Sequence, residues 1–268
     1  MKSLPPYIHG QSDDESARLH HQASGLGYLL HEDICYPSGC RVLEAGCGVG
    51  AQTALLARNN QGAEFVSIDI SADSLDRAQT HITEEGLPNV SFCKADIGNL
   101  PFPRETFDHV FICFTLEHLS DPKLALENFL DVLKPGGTLT VIEGDHGSAL
   151  FQPDTAAAHH VINCLVALQH QAGGNALIGR ELEHLLRDQG YGDISVVPLK
   201  VHASPDIPGS TEAVKQIFIA MIEGVREQAI AGGLSDQKMW DTGIRDLYRT
   251  TERDGMFSYT FFKAVGRK

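Results

Sequence analysis

The chain carries the stretch Val42-Leu43-Glu44-Ala45-Gly46-Cys47-Gly48-Val49-Gly50, which is followed along the sequence by Phe65-Val66-Ser67-Ile68-Asp69. A short apolar run that enters clustered glycines is typical of a buried strand that turns tightly into a helix. Glycine at such a turn lets backbone amides approach a ligand closely. The lone carboxylate of Asp69, at the end of the second apolar run, is placed to accept both hydroxyls of a ribose. The pattern therefore predicts a nucleotide-type ligand at the edge of a parallel sheet.

Strand and helix patterns alternate on both sides of this stretch. A helix is predicted to begin at Asp121-Pro122, an N-cap followed by proline, and to end at Lys134-Pro135-Gly136-Gly137. Such alternation is the signature of an open parallel sheet covered by helices on both faces. We expect the fifth strand to break at residues 143–147. Strands are predicted near residues 42–45, 65–69, 90–93, 107–113, 138–142, 194–198 and 257–265.

The sequence divides into a sheet-forming part and two helical parts. Residues 1–38 are predicted as an N-terminal helical segment, opened by a capping box at Ser12-Asp13-Asp14-Glu15. Residues 39–200 together with 256–268 are expected to form the ligand-binding core. Residues 201–255 are predicted as a helical insertion, which we interpret as a lid over an acceptor pocket or as a surface for association between copies of the chain.

Composition narrows the class of ligand. The chain has 268 residues, is 42% hydrophobic and carries a formal net charge of -14, so it can bury a full core and lacks the clustered basic charge that nucleic-acid binding requires. No apolar run has the length of a membrane span or a signal peptide, so we expect a cytoplasmic protein without a membrane partner. The six cysteines show no paired spacing and are predicted to be small core residues; no metal site is predicted.

A second acid follows the third predicted strand, in Ala95-Asp96-Ile97. These residues could hydrogen-bond an adenine amino group and place an apolar side chain against its ring. The glycine run alone is less specific, because Gly46-x-Gly48-x-x-Ala51 also satisfies a dinucleotide fingerprint. A nicotinamide-dependent oxidoreductase is therefore an alternative at this point, although a nicotinamide site does not specifically require an acid at the position of Asp96.

These stretches resemble the class I S-adenosylmethionine-dependent methyltransferases over residues 40 to 145, with a further match in the last strand. The other matching motifs are Leu100-Pro101-Phe102, Phe107-Asp108, Leu116-Glu117-His118-Leu119 and Leu133-Lys134-Pro135-Gly136-Gly137. Their order and spacing are highly specific. The resemblance implies an antiparallel last strand inserted between strands five and six. The predicted fold class is thus α/β, a doubly wound, mostly parallel seven-stranded sheet with a helical N-terminal segment and a helical cap between strands six and seven.

The resemblance also implies S-adenosylmethionine as the cofactor and assigns residues to it. The three glycines Gly46, Gly48 and Gly50 would lie under its methionine part, Asp69 would hold the ribose hydroxyls, and Asp96 with Ile97 would recognise adenine. Gln52 could orient the cofactor's carboxylate, or it could cap the helix. The remaining positions expected at the cofactor are Glu44, Ile70, Ala95, Phe114 and Tyr7.

Methyl transfer from a sulfonium is an in-line displacement, so it needs alignment and exclusion of water, and needs a base only when the acceptor must lose a proton. Candidates for that base lie beyond the carboxyl ends of strands four and five. We assign His146, His118 and Asp145 as candidate catalytic residues, and packing or loop-forming roles are the alternative for each. Glu143 is expected to end its strand and cap a backbone group.

The sequence thus predicts S-adenosylmethionine-dependent methyl transfer to a small organic acceptor. Two alternatives come from other classes: a nicotinamide-dependent oxidoreductase, and a cofactor-binding regulatory module without catalysis. The fold alone does not identify the acceptor, since oxygen, nitrogen, carbon and sulfur nucleophiles are all served by it.

Overall fold

The computed structural model of the protein describes residues 27, 29–203, 212–252 and 255–268. The predicted capping box, most of the N-terminal helix and Tyr7 lie outside these residues. Leu30, which belongs to the predicted N-terminal segment, is fully buried.

Seven strands form one mixed sheet, as predicted. Their order is β3-β2-β1-β4-β5-β7-β6, and β7 runs antiparallel to both of its neighbours, β5 and β6. The first five strands are parallel wherever they are paired with one another. The predicted fold class is therefore confirmed. The strands are β1 (Arg41–Ala45), β2 (Glu64–Asp69), β3 (Val90–Lys94), β4 (Phe107–Cys113), β5 (Leu133–Gln152), β6 (Gly192–Ala203) and β7 (Met256–Arg267).

Helices connect the strands and begin where side-chain caps predict. Ser71 accepts a hydrogen bond from the Ser74 amide at 3.2 Å, and Asp121 accepts one from the Leu124 amide at 3.0 Å. The helices are α1 (Ala51–Asn59), α2 (Ala72–Glu84), α3 (Pro122–Val132), α4 (Ala156–Gln171), α5 (Leu182–Asp188), α6 (Glu212–Glu223), α7 (Arg226–Ala231) and α8 (Gln237–Tyr248). Short 3-10 turns lie at Leu116–His118, Ile178–Glu181 and Arg249–Thr251.

Strand β5 is much longer than its sequence pattern predicts. The break predicted at residues 143–147 is placed too early: Glu143, Gly144 and Asp145 continue to pair with β7, and the pairing is interrupted between Asp145 and Leu150. The antiparallel partner supplies the hydrogen bonds that a local pattern does not reveal. β5, β6 and β7 therefore extend past the carboxyl end of β4, whose last residue Cys113 pairs with Ile142, and form a wall beside that edge.

Helices α4, α6, α7 and α8 pack together against this wall. Trp240 of α8 is 1% exposed, and Gly243 lies so close to α4 that a Cβ there would be 2.3 Å from the Ala157 carbonyl oxygen. Phe218 and Ile222 of α6 belong to the same buried cluster. These helices supply an apolar cover over one face of the extended strands. Within the described residues no helix is both long enough and apolar enough to cross a membrane.

The cysteines follow their prediction with two exceptions. Cys40, Cys47, Cys113 and Cys164 are buried as predicted, whereas Cys93 is half-buried and Cys35 is exposed; all six are free thiols. Residue type alone does not distinguish Cys35, which lies in the irregular stretch before β1, from the buried cysteines.

Candidate functional site

The glycine loop follows β1 directly and is built on its backbone. The amides of Gly46 and Cys47 both donate to the Ile68 carbonyl oxygen, at 2.8 and 2.9 Å. Gly46 has φ 75°, and a Cβ there would lie 2.5 Å from Oγ1 of Thr115. Gly48 has φ 53° and nothing within 4 Å of the same position, so its backbone faces open space. The loop thus requires glycine at 46 for packing and offers an uncovered backbone at 48.

Asp69 ends β2 beside this loop. Its Oδ2 accepts a hydrogen bond from the Gly48 amide at 2.9 Å, and its Oδ1 accepts one from the Ser71 amide at 2.8 Å. Each carboxylate oxygen retains a second lone pair that can accept a hydroxyl. The two amides therefore fix the carboxylate of Asp69 in place while leaving it able to bind a diol.

Glu44 lies beneath the loop and is 2% exposed. Ser67 donates its hydroxyl to Oε2 of Glu44 at 2.6 Å. Burial raises the pKa of Glu44 to about 7, against the hydrogen bonds from Ser67 and Thr53, which lower it. Glu44 is thus held inside the protein, two residues before the first glycine of the loop.

Gln52, in the first turn of α1, is held by a residue that sequence analysis missed. Its Oε1 is in very short hydrogen-bond contact with Nε2 of His31. His31 is 1% exposed and packs its ring 5.7 Å from that of Phe111, and burial lowers its pKa to about 4. The Nδ1 atom of His31 has no hydrogen-bond partner among the described residues. His31 lies in the helical turn of residues 29–31, 21 positions before Gln52, and no local signal pointed to its contact with α1.

The predicted adenine-binding residues meet at the same edge of the sheet. Parallel pairing of Asp69 with Lys94 places Asp96 just beyond the end of β3. Asp96 is exposed, and its Oδ1 accepts from the Gly98 amide at 2.8 Å. Ala95 and Ile97 are each 8% exposed, whereas Ile70 leaves 47% of its surface in solvent. The edge therefore presents an apolar side chain and an oriented carboxylate together.

Phe114 continues this edge past β4. Its φ of 52° is unusual for a residue with a Cβ, and its amide donates to the Ile142 carbonyl oxygen at 2.9 Å. Its ring lies 5.5 Å from that of Phe261 on β7. Phe114 thus connects the loop edge to the wall formed by β5 and β7.

A buried acid–base cluster occupies that wall. The Tyr259 hydroxyl lies 2.7 Å from Nδ1 of His146. Nε2 of His146 lies 3.6 Å from Oε2 of Glu117, which also accepts a hydrogen bond from Nε2 of Gln169 at 3.0 Å. The side chains of His146 and Glu117 are only 5% and 9% exposed. Sequence analysis placed Glu117 and His146 near the chemistry but missed Tyr259 and Gln169, because both belong to elements distant along the chain.

His118 is the second histidine at this cluster. Its Nε2 lies 3.7 Å from Oε1 of Glu117, and its side chain is 21% exposed. The structure therefore brings both predicted histidines to the same carboxylate, one on each oxygen. His118 is the more accessible of the two.

Glu143 caps the turn that carries these residues, as expected, but it does not end its strand, because β5 continues past it along β7. Its Oε1 accepts from the amides of Thr115 and Leu116, at 3.0 and 2.7 Å. Burial, reinforced by the charge of Glu117, raises the pKa of Glu143 well above its ordinary range. The rise reflects the cost of holding a second negative charge in a buried position beside Glu117.

Asp145 is bound by a cation. Its two oxygens accept hydrogen bonds from Nε and a terminal nitrogen of Arg180, each at 2.7 Å, and Gly147 donates its amide at 3.1 Å. Asp145 is 3% exposed. A carboxylate held in this bidentate way is well placed to fix the loop after His146 and poorly placed to remove a proton.

The sheet order, the glycine loop and the acids at one edge define a class of protein, the class I methyltransferases. The chain belongs to the methyltransferase domain family, whose model matches residues 37–190, more than half of the sequence. The prediction of a class I S-adenosylmethionine-dependent methyltransferase is therefore confirmed at the level of family and fold.

Individual relatives agree with this assignment. The chain is 34% identical over 115 residues to the methyltransferase GfsG of Streptomyces halstedii, covering 42% of this chain and 41% of that protein. It is 37% identical over 108 residues to the ubiquinone/menaquinone biosynthesis C-methyltransferase UbiE of Methylococcus capsulatus, covering 40% and 44%. The match thus spans less than half the length of these relatives.

A solved structure extends the likeness to nearly the whole chain. Phosphoethanolamine N-methyltransferase 2 of Haemonchus contortus, in complex with S-adenosyl-L-methionine, superposes with a TM-score of 0.57 at 18% identity. The superposition covers 94% of this chain and 57% of that protein. At this identity the likeness concerns the fold.

Proposed function

We propose that the chain binds S-adenosylmethionine along the edge formed by the ends of β1 to β4 and transfers its methyl group to a small organic acceptor. The observation that carries this proposal is the joint geometry of Gly48 and Asp69, with Asp96 exposed at the same edge. The names of the matched relatives, which are methyltransferases, support the reaction class.

The residues at the edge fit this cofactor. The open backbone of Gly48 leaves room that a Cβ would fill, and Asp69 keeps lone pairs for a ribose diol. Exposed Ile70 offers an apolar face to a purine, and Asp96 offers an acceptor for its amino group. Gly50 precedes helix α1 and supplies no side-chain cap, so the first amides of the helix can meet a carboxylate. Glu44 supports the loop, and Gln52 is fixed by His31.

Bound S-adenosylmethionine supplies an electrophilic methyl group on a sulfonium, and the protein must align the acceptor with it and keep water out. The wall formed by β5 and β7, covered by α4 and the helices of residues 201–255, provides that enclosure. Aromatic side chains dominate it: Phe114, Phe218, Phe257 and Phe261. We infer an acceptor with a substantial apolar part.

His118 and His146 are the candidate groups for removing a proton from the acceptor, since both face Glu117. A carboxylate beside an imidazole stabilises the protonated ring that such a step forms. We assign Asp145 a positioning role in place of the catalytic one, because Arg180 already holds its carboxylate.

Calorimetry with S-adenosylhomocysteine tests the cofactor site. The wild type should bind it, and Asp69→Ala should weaken binding by roughly tenfold or more, since about 1.4 kcal/mol of lost interaction gives that factor. Asp188→Ala, which removes an exposed carboxylate of α5, is the matched control and should bind as the wild type does. Absence of binding by the wild type, or equal binding by Asp69→Ala, contradicts the proposal.

Transfer of a radiolabelled methyl group separates catalysis from binding alone. The purified chain, supplied with labelled S-adenosylmethionine and a fractionated small-molecule extract, should label an organic-extractable product. Tight cofactor binding without any labelled product would support a non-catalytic regulatory module instead.

A further inference from the structure

A carboxylate, an imidazole and a phenol are connected in series inside the wall. Glu117 lies on the 3-10 turn Leu116–His118, His146 on β5 and Tyr259 on β7. The distances are 3.6 Å from Glu117 Oε2 to His146 Nε2 and 2.7 Å from His146 Nδ1 to the Tyr259 hydroxyl. Three separate elements thus converge to place these groups in one line of contacts.

The contact between the Tyr259 oxygen and Nδ1 of His146 can be made with either group as the donor. The Asp145 amide also donates to the Tyr259 oxygen, which leaves the phenol's own proton available for Nδ1 of His146. A neutral His146 that accepts at Nδ1 carries its own proton on Nε2, the atom that faces Glu117. The Tyr259 oxygen retains one lone pair that can accept a further proton.

The other charges near this line are already compensated. Arg180 binds both oxygens of Asp145, and Glu143 caps the amides of Thr115 and Leu116. Gln169 donates to Glu117. Glu117 is therefore the carboxylate that faces the His146 ring and can balance a positive charge on it.

Aromatic rings surround the phenol. Phe218 of α6 lies 5.3 Å from the Tyr259 ring and 6.1 Å from the His146 ring. On the other side Phe261 lies 4.7 Å from Tyr259 and 5.5 Å from Phe114, which borders the cofactor edge. These rings form a continuous run of contacts from Phe114 to Phe218, and a planar, unsaturated acceptor lying against that run would have ring faces to stack on.

We propose that Tyr259 is a catalytic residue that takes the proton of an acidic hydroxyl, a phenol or an enol, on the acceptor. His146 receives the proton of Tyr259, and Glu117 is the positioning residue for His146. This inference rests on the proposed methyl transfer and names its acceptor class. An amine with a neutral lone pair would not need such a relay, whereas a hydroxyl does.

The transfer balances in atoms and charge. The O–H bond of the acceptor breaks, its electron pair stays on the acceptor oxygen, and the proton bonds to the Tyr259 oxygen. At the same time the original Tyr259 proton moves to Nδ1 of His146. Tyr259 remains neutral throughout, and the result is an acceptor anion and a protonated His146 paired with Glu117.

A chromogenic phenol tests the relay without turnover. 4-Nitrophenol is added to the full chain saturated with S-adenosylhomocysteine, and its phenolate absorbance is followed against pH. The wild type should ionise the bound probe at lower pH than buffer does. Tyr259→Phe and His146→Gln should reduce its apparent ionisation constant by about 10- to 100-fold, and Glu117→Gln by less, with unchanged affinity for S-adenosylhomocysteine.

Tyr191→Phe is the matched control, because Tyr191 is also buried and also donates its hydroxyl, at 2.8 Å to the Leu126 carbonyl oxygen, but lies in the other core cluster. It should leave the titration of 4-nitrophenol unchanged. A wild type that binds S-adenosylhomocysteine yet titrates the probe as buffer does overturns the relay, as does a Tyr259→Phe titration equal to wild type. Failure to bind S-adenosylhomocysteine at all would instead refute the proposed methyl transfer.

Nitrogen NMR of histidine rings gives an independent readout in the unliganded protein. His146 should show a protonated Nε2 and an accepting Nδ1, and Tyr259→Phe should shift the Nδ1 signal. An Nδ1-protonated His146 in the wild type contradicts the proposed direction of transfer.

Discussion

The Tyr259 hydroxyl and Nδ1 of His146 lie 2.7 Å apart although 113 positions separate the two residues in the chain. The contact exists because β5 continues along β7 beyond the end of β4. It also depends on Gly144, where a Cβ would lie 2.3 Å from the Tyr259 hydroxyl oxygen. The glycine before Asp145 therefore makes space for the phenol.

Gly144→Ala should displace the Tyr259 hydroxyl from His146. The added methyl group cannot be accommodated at 2.3 Å, and overpacking of this kind costs about 1–3 kcal/mol of unfolding free energy. Chemical denaturation measures the loss. Gly192→Ala is the control, since the nearest atom to its Cβ would be 3.8 Å away. Equal stability of the two variants would show that the wall can adapt.

Glu44→Gln should change how stability depends on pH. Burial raises the pKa of Glu44 from 4.5 to about 7, so between these values the folded state holds a proton that the unfolded state has released. Glu44 therefore makes the wild type less stable as pH rises through this window, by at most about 3 kcal/mol. The variant lacks this loss, so its stability relative to wild type should rise between about pH 4.5 and about pH 7.

Glu64→Gln serves as the control for that comparison, because Glu64 is exposed at the start of the neighbouring strand β2. Thermal unfolding of all three proteins across the pH range gives the differences directly. Glu143, whose pKa is also raised, contributes the same pH dependence of stability to all three proteins, so its effect cancels in the differences. Parallel profiles for wild type and Glu44→Gln would contradict a protonated Glu44.

His31→Gln should act in the opposite direction. Burial lowers the pKa of His31 from 6.5 to about 4, so the unfolded state binds a proton first as pH falls. His31 thus makes the wild type lose stability from pH 6.5 down to about 4, by up to about 3 kcal/mol. The variant should lose less over this window, measured by thermal unfolding, and exposed His184→Gln should follow the wild type. Identical acid profiles for His31→Gln and wild type would indicate that His31 is accessible to protons.

Local sequence patterns predicted most of the fold and most of the candidate cofactor edge. The glycines after β1 and the acids Asp69 and Asp96 each follow a short apolar strand, and parallel strands bring their carboxyl ends to one edge without further information. The N-caps Ser71 and Asp121 likewise act within four residues of themselves. These features are encoded by neighbours in the chain, so a pattern can reveal them.

Contacts between residues distant in sequence could not be predicted from local patterns. The pattern ended β5 at its glycines, although pairing with β7 carries the strand on to Gln152. His31 meets Gln52, and Tyr259 meets His146, only after the sheet has assembled. A local pattern shows the hydrophobic period and the caps of a single helix or strand. The contacts of His31 and Tyr259 depend instead on which helices and strands become neighbours in the fold.

The pair of Asp145 and Arg180 gives the last prediction, and it separates two roles for Asp145. Arg180→Gln leaves the Asp145 carboxylate, which is 3% exposed, without its cation. The unfolding free energy should fall by about 2 kcal/mol, which is less than for a fully buried pair because the Arg180 side chain is 46% exposed. Asp145→Asn in the same background should recover part of that loss, as measured by a double-mutant cycle. Arg187→Gln, which breaks an exposed helical pair, should change stability by only about 0.5 kcal/mol.

The same variants decide whether Asp145 acts as a base. A positioning residue tolerates loss of its charge when its partner is also removed. The double variant Asp145→Asn with Arg180→Gln retains the hydroxyl and the imidazole of the proposed relay. It should therefore ionise bound 4-nitrophenol within about threefold of wild type. A carboxylate that itself takes the proton could not be replaced by an amide. If the double variant still binds S-adenosylhomocysteine but no longer ionises the probe, Asp145 has the catalytic role predicted from the sequence. If it still ionises the probe, Asp145 acts with Arg180 to position His146.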